Sequence, residues 1–185
     1  FALIKKKNNY IFPKIKQICS IKVISIAKKI INFQKGLNDN SVEDLKNKFD
    51  KNLYSTFISF IPKNKIFINL KKNIDKRGNF VEYLKSNRFG QISVFTINKK
   101  QQRGGHYHNS KVEKFLIIKG EAKLIFKDVK SKNHFSKKVS GKNLKLFHSI
   151  PGWTHTIKNV GNNEIVGIVW ANEIFNKNKA DTYYE

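Results

Sequence analysis

The stretch Gly105-His106-Tyr107-His108-Asn109-Ser110-Lys111-Val112-Glu113 sets two histidines one residue apart and a carboxylate five residues beyond the second. On extended backbone, side chains at i and i+2 leave the same face, so His106 and His108 can converge on one ion. Imidazole nitrogen together with carboxylate oxygen suits Zn, Fe, Ni or Mn. Arg103-Gly104-Gly105 precedes the histidines, and paired glycines let the backbone turn tightly where ligands must converge. A fourth ligand has to come from elsewhere. Pro151-Gly152-Trp153-Thr154-His155 offers one, as a turn feeding a strand that carries His155, with Asn159 four residues on. Read together, the two stretches predict a metal site of His106, His108, Glu113 and His155. The alternative is a set of ordinary polar residues on solvated loops.

Outward from these motifs the pattern is one of short strands. Runs rich in Ile, Val and Phe cover residues 65–70, 91–98, 114–118, 122–128, 134–139, 143–148, 154–158 and 164–172, with Gly, Asn and Lys turns between them. Regular short spacing without a helical period predicts an all-β sandwich or barrel over residues 63–185. Trp153 and Trp170 read as core or pocket wall, and Asp75-Lys76-Arg77-Gly78 as a turn. His134 and His148 stand outside the motifs and read as surface or strand residues.

Before Pro62 the chain reads differently. Residues 1–20 are basic and irregular, with Pro13 in their middle. Apolar residues at Ile24, Ala27, Ile30, Ile31 and Phe33 predict an amphipathic helix from Ile21 to Lys35, ended near Gly36. Ser41-Val42-Glu43-Asp44 reads as the start of a second helix, with Ser41 as N-cap, running to about Asn52. Leu53–Ile61 is apolar and ambiguous. Two or three short helices do not build a core of their own. The domain boundary is therefore placed at residue 62, and residues 1–62 read as the tail end of something larger. A chain that starts at Phe1 and contains no Met fits that expectation.

The formal charge of +24 invites a nucleic-acid reading, but its distribution argues against one. Residues 1–62 carry 12 basic and 4 acidic side chains, and residues 63–185 carry 25 and 9, an equal charge density with no concentrated patch. Lys outnumbers Arg 34 to 3, although Arg is the residue that reads phosphates and bases by bidentate contact. Solvated surface lysine is the expectation, with no nucleic-acid partner. The lone Cys19 forms no internal disulfide, and no run reaches the ~18 apolar residues of a membrane span. A cytoplasmic location with no membrane partner is expected.

The spacing His106-x-His108-x4-Glu113-x6-Gly120 resembles the first cupin motif, and Gly152-x2-His155-x3-Asn159 the second, with Ile150 in place of the usual first proline. The likeness extends to Asp75-x-Arg77-Gly78-x-Phe80-x-Glu82, Gly90-Gln91-x-Ser93-Val94, Trp170-Ala171-Asn172-Glu173-x-Phe175 and Asp181-Thr182-Tyr183. Together these resemble the C-terminal cupin domain of the CapF-type bifunctional UDP-sugar epimerase/reductases. Leu53-Tyr54-Ser55-Thr56-x-Ile58-Ser59-x-Ile61-Pro62 is similar to the hinge that joins reductase to cupin in that family. The resemblance implies a cupin jelly roll (an all-β double-stranded β-helix) preceded by a helical remnant of a short-chain dehydrogenase/reductase domain.

It also implies a chemistry. The cupin of such enzymes binds zinc and epimerises C3 of a UDP-2-acetamido-2,6-dideoxy-4-ketohexose, on the way to N-acetyl-L-fucosamine in capsule or O-antigen biosynthesis. The proton at C3 lies beside the C4 ketone, so its removal leaves an enolate whose charge needs stabilising. A divalent metal held by His106, His108, Glu113 and His155 supplies a Lewis acid. Epimerisation also needs a base and an acid. Lys111, Lys114 and Tyr107 are the candidates near the motif, and the choice among them stays open. Arg103 is the candidate contact for the diphosphate or a developing oxyanion, with a structural role on its turn as the alternative. No glycine-rich dinucleotide fingerprint opens a βαβ unit in this sequence, so neither an NAD(P) site nor reductase activity is expected of it. A homodimer through the cupin sheets is expected. The rival readings are a non-catalytic cupin that binds a sugar nucleotide or only dimerises, and a basic nucleic-acid-binding protein.

Overall fold

Alternation decides which side of each strand is buried. Along Glu121–Asp128, Ala122, Leu124 and Phe126 are buried while the residues between them are not. Along Gly90–Ile97, Phe95 and Ile97 point inward in the same way. Such strands must lay one face on another sheet. The computed structural model, which describes residues 20–185 and the backbone of Lys5–Lys6 and Asn9–Tyr10, contains two antiparallel sheets that do so.

In chain order the elements are β1 (Lys5–Lys6), β2 (Asn9–Tyr10), α1 (Val23–Asp39), α2 (Lys48–Ser59), β3 (Lys72–Asp75), β4 (Gly78–Ser86), β5 (Gly90–Ile97), β6 (Gln102–Tyr107), β7 (Glu113–Lys119), β8 (Glu121–Asp128), β9 (His134–Ser140), β10 (Leu146–His148), β11 (Trp153–Asn159), β12 (Ile165–Ala171) and β13 (Tyr183–Tyr184). One sheet runs β10-β7-β12-β5-β4-β3 and the other β13-β6-β11-β8-β9. After the β3–β4–β5 meander, and apart from the β8–β9 hairpin, strands that follow one another in sequence alternate between the sheets, the ordering of a jelly roll. The expected all-β jelly roll with a short helical segment before it is what the chain forms. Phe95, Ile97, Phe115, Ile117, Leu124, Phe126, Ile157, Ile165 and Val169 fill the space between the sheets. Each such side chain contributes roughly 1.5–3 kcal/mol by leaving water. Trp153 packs against this core, and Trp170 donates its indole N–H to the Phe89 carbonyl at 2.5 Å, so both serve as wall rather than chemistry.

Several boundaries differ from the expectation. The first helix is where the apolar spacing put it, though it runs on to Asp39. The second starts at Lys48 instead of Ser41. Asn47 is its N-cap, accepting from the Asp50 N–H at 2.9 Å. Ser41 and Val42 are extended instead and pair with the end of β4: Val42 N–H donates to the Lys85 carbonyl at 2.8 Å, and Lys85 N–H to Asn40 at 2.9 Å. This pairing ties the helical segment to the sheet. The ambiguous stretch from Leu53 is helical to Ser59, and Phe33 packs on Tyr54 and Phe57 with ring centroids 5.0 and 5.6 Å apart. The run at 65–70 is not a strand; β3 begins at Lys72. Strands β4, β6 and β13 complete the sheets where no strand run stood out. The irregular stretch expected over residues 1–20 falls outside the described residues, apart from the short β1–β2 pairing and Ser20. Among the described residues, no helix is long and apolar enough to cross a membrane.

Candidate metal centre

Four side chains from the two motifs meet at one end of the space between the sheets. His106 comes from β6, His108 from just beyond it, Glu113 from the first residue of β7 and His155 from β11. One ligand atom of each lies within 4.8 Å of the others. His108 is 1% exposed and His155 4%. The paired glycines do what their order suggested. Gly104 and Gly105 both have positive φ, at +97° and +78°, and the pairing of β6 with β11 shifts register between His155 and Thr156. A side chain at 104 would stand 2.2 Å from the His155 carbonyl oxygen. Glycine there lets β6 close on β11 so that His106 sits opposite His155.

Further bonds lock the two motif loops together. Gly152 N–H donates to the His108 carbonyl at 2.8 Å. Glu113 N–H donates to the Ser149 hydroxyl at 2.7 Å, and Ser149 N–H donates back to the Glu113 carbonyl at 2.8 Å. Asn159 is buried and latches the far end of β11, giving its amide to the Ile97 and Asn163 carbonyls at 2.8 and 2.9 Å. None of these groups belongs to the cluster itself; they fix the loops and the strand that carry it.

The donor set fits a divalent cation. His108 Nδ1 lies 2.5 Å from the Asp181 carbonyl oxygen, which can only accept, so Nδ1 carries the proton. In the neutral ring Nε2 then presents a lone pair, and it faces the Glu113 carboxylate at 3.0 Å. Two acceptors so placed call for a proton or a cation between them. His155 Nε2 lies 3.2 Å from the same carboxylate oxygen, while its buried Nδ1 has no hydrogen-bond partner. Burial, then the neighbouring His155 and His108, push the His106 imidazole down to about 4, so it is neutral and free to ligate at pH 7. Burial opposes the charge on Glu113, but its contacts with His108 and His155 outweigh that and hold its carboxyl well below the usual range. Three imidazoles and one carboxylate make a set suited to Zn and to its first-row neighbours.

The other expected site residues divide. Lys111 is 8% exposed, its Nζ 3.9 Å from Glu113 Oε1 and 3.1 Å from the Thr182 hydroxyl. It lines a cavity of about 410 Å³ together with His106, Glu113, Arg77, Arg103 and Tyr184. Lys114 does not reach the cluster. It follows Glu113 on a strand and so leaves the opposite face, where its Nζ lies 5.2 Å from the centre of the Trp170 ring. Tyr107, between two inward histidines, also leaves the other face and stacks on Tyr183 at 5.3 Å. Arg103 reaches the cavity wall, but its Nε and Nη2 donate to the Thr96 and Asn79 carbonyls at 2.9 and 3.1 Å. His134 and His148 are exposed on β9 and β10.

Side chains given no role beforehand also line this cavity. Thr182 precedes the C-terminal strand and Tyr184 ends it, and the Tyr184 ring meets His106 edge-on at 5.8 Å. Asp75 and Arg77 flank the mouth. The Arg77 guanidinium donates to Asp75 through Nε at 2.9 Å and Nη2 at 2.5 Å, and this holds the Asp75 carboxyl down at about 2. A carboxyl depressed in the folded state stabilises fully above its ordinary value of 3.8 and loses that contribution as pH falls through about 2. Because the pair is well exposed, Asp75→Asn is expected to cost no more than about 1 kcal/mol at pH 7. Urea denaturation should show the difference from wild type shrinking as pH falls from 4 to 2.

Comparison with known proteins places this architecture. The chain is 35% identical over 178 residues to UDP-2-acetamido-2,6-beta-L-arabino-hexul-4-ose reductase of Pseudomonas aeruginosa, an alignment covering 96% of this chain and 48% of that protein. The capsular polysaccharide assembling protein CapF of Staphylococcus aureus superposes with a TM-score of 0.88 at 33% identity, over 93% of this chain and 50% of that one. A structure of CapF with the inhibitor 3-isopropenyl-tropolone gives 0.82 at 35% identity, over 86% and 46%. The chain thus spans about half the length of these relatives. Its β region is the cupin jelly roll that the motif spacing implied. Residues 73–183 match the polysaccharide biosynthesis C-terminal domain, and it is to this family that the chain belongs.

Proposed function

We propose that the chain is a metal-dependent cupin that epimerises C3 of a UDP-2-acetamido-2,6-dideoxy-4-ketohexose for a surface polysaccharide. The reading rests on one observation: a cluster of three imidazoles and a carboxylate, with Lys111 Nζ 3.9 Å from that carboxylate on the wall of a cavity. The name of the Pseudomonas aeruginosa relative supports the substrate class. When bound, a divalent cation, zinc in this reading, supplies Lewis acidity toward a ketone or hydroxyl oxygen. Glu113, His106, His108 and His155 would hold that charge. In this reading Lys111 takes or returns the C3 proton, and Tyr184, whose ring meets His106 edge-on, serves the opposite face. Arg103 adds positive charge to the wall of the cavity. Reduction of the ketone is outside the proposal, since these residues include no dinucleotide fingerprint.

In deuterium oxide the metal-loaded protein is expected to introduce deuterium at C3 of the 4-keto sugar. C5 flanks the same ketone and is equally activated by it, so it serves as the internal control. Label at C5 alone, or none with full metal occupancy, would leave only a sugar-nucleotide-binding or dimerising module.

A further inference from the structure

Residues 181–184 bring the chain back to the metal-ligand strand and touch that region at four successive positions. Thr182 accepts from Lys111 Nζ at 3.1 Å, Tyr183 stacks on Tyr107, and the Tyr184 ring meets His106. Tyr183 and Tyr184 pair with Tyr107 and His106 as an added edge strand, and Glu185 beyond them is held by Lys127 and Lys132. Asp181 does the most. Its carbonyl takes the His108 Nδ1 proton at 2.5 Å, which leaves Nε2 as the lone pair facing Glu113. Its carboxylate accepts from three consecutive backbone N–H groups, Asn109 at 3.0 Å, Ser110 at 2.7 Å and Lys111 at 2.7 Å, and from the Ser110 hydroxyl at 3.0 Å. Those three residues are most of the loop that separates the ligands His108 and Glu113. One residue therefore fixes both the tautomer of a ligand and the path between two ligands.

We infer that Asp181 is the positioning residue of the metal centre, and that the C-terminal strand is part of the site rather than a trailing end. The inference rests on reading His106, His108, Glu113 and His155 as metal ligands. It acts through His108, because the Asp181 carboxylate is spent on backbone donors and is not among the four clustered ligands. Groups that orient a ligand from behind typically govern affinity by 10–100-fold. Loss of the carboxylate leaves three N–H groups to water and frees the loop. Loss of the whole segment also removes the carbonyl that sets the His108 tautomer.

The test is the affinity of the folded chain for Zn(II), by competition with a chromophoric chelator, and the visible spectrum of its Co(II) form. Asp181→Ala is expected to weaken Zn(II) binding by about 10–100-fold and to alter the Co(II) bands. Asp181→Asn, which keeps one acceptor oxygen, should fall between it and wild type. A chain ended at Ala180 should lose more than Asp181→Ala, and the ring nitrogens of His108, read by ¹⁵N NMR without metal, should no longer show a single protonated Nδ1. If wild type binds and Asp181→Ala binds equally well, with only a lower melting temperature, Asp181 is merely structural and this inference falls. If wild type takes up neither ion, the metal reading falls and takes the inference with it.

Discussion

Replacing His155 by alanine is expected to weaken Zn(II) binding by more than about 100-fold, because outer groups that only orient ligands already govern 10–100-fold. His155 joins the second motif to the first, and it is 4% exposed between β6 and β8. Its removal leaves Glu113 with one imidazole contact instead of two and opens a hole beside Phe115, whose ring lies 5.6 Å away. Metal binding is the sharper readout than fold. The core strands bury Ile97, Ile117 and Ile165 without involving the cluster, so the metal-free variant should still unfold cooperatively. Wild type should gain melting temperature with added Zn(II) by mass action, and His155→Ala should not. Equal thermal shifts in both proteins, with equal competition against a chelator, would remove His155 from the site and with it the cluster.

How far the sequence foretold this can be judged residue by residue. The spacing of His106 and His108 was sufficient, because the two-residue period of extended backbone admits only one relative placement. The same period places Tyr107 and Lys114 on the faces opposite their neighbours His106 and Glu113, so their distance from the cluster was also legible. Ser41 shows a different limit. Its local signature is that of a helix cap, but its neighbours Asn40 and Val42 hydrogen-bond to Lys85, forty-four residues beyond Ser41, and nothing within a short window reveals that partner. Arg103 is a third kind of case. A guanidinium beside glycines reads as an anion contact, yet two backbone carbonyls on neighbouring strands claim its Nε and Nη2. Asp181 lay in a family motif without a role, because its meaning depends on a loop about seventy residues earlier in the chain. Strands β4 and β6 were missed since their Asn, Lys, Gln and Gly residues dilute the apolar alternation that marks β5 and β8. Local periodicity gave the faces; long-range pairing had to give the partners.

Lys111→Met is expected to slow deuterium entry at C3 by about 10²–10⁴-fold, the range that a positioned acid or base contributes, while Zn(II) affinity changes only a few-fold. Methionine approximates the length of the lysine stem and fills the same buried channel, so the substitution removes the amine rather than the packing. The backbone N–H of residue 111 is untouched and still donates to Asp181, which keeps the ligand loop in place. Among the three candidates, only Lys111 has its nitrogen within 4 Å of a cluster carboxylate and also a place on the cavity wall. Lys114→Met therefore serves as the matched control: it deletes an identical group from the far side of the sheet and should leave C3 exchange within about twofold. The Lys111 amine also stands among the charges that disfavour protonation of His106, so its loss raises the proton affinity of that ligand slightly. Zn(II) binding in Lys111→Met should accordingly weaken more toward acid pH than at pH 8. Exchange that survives in Lys111→Met and disappears in Tyr184→Phe would move the proton transfer to the C-terminal strand. Survival in both would move the proton transfer to another group on the cavity wall, where Glu82 and Glu173 also stand.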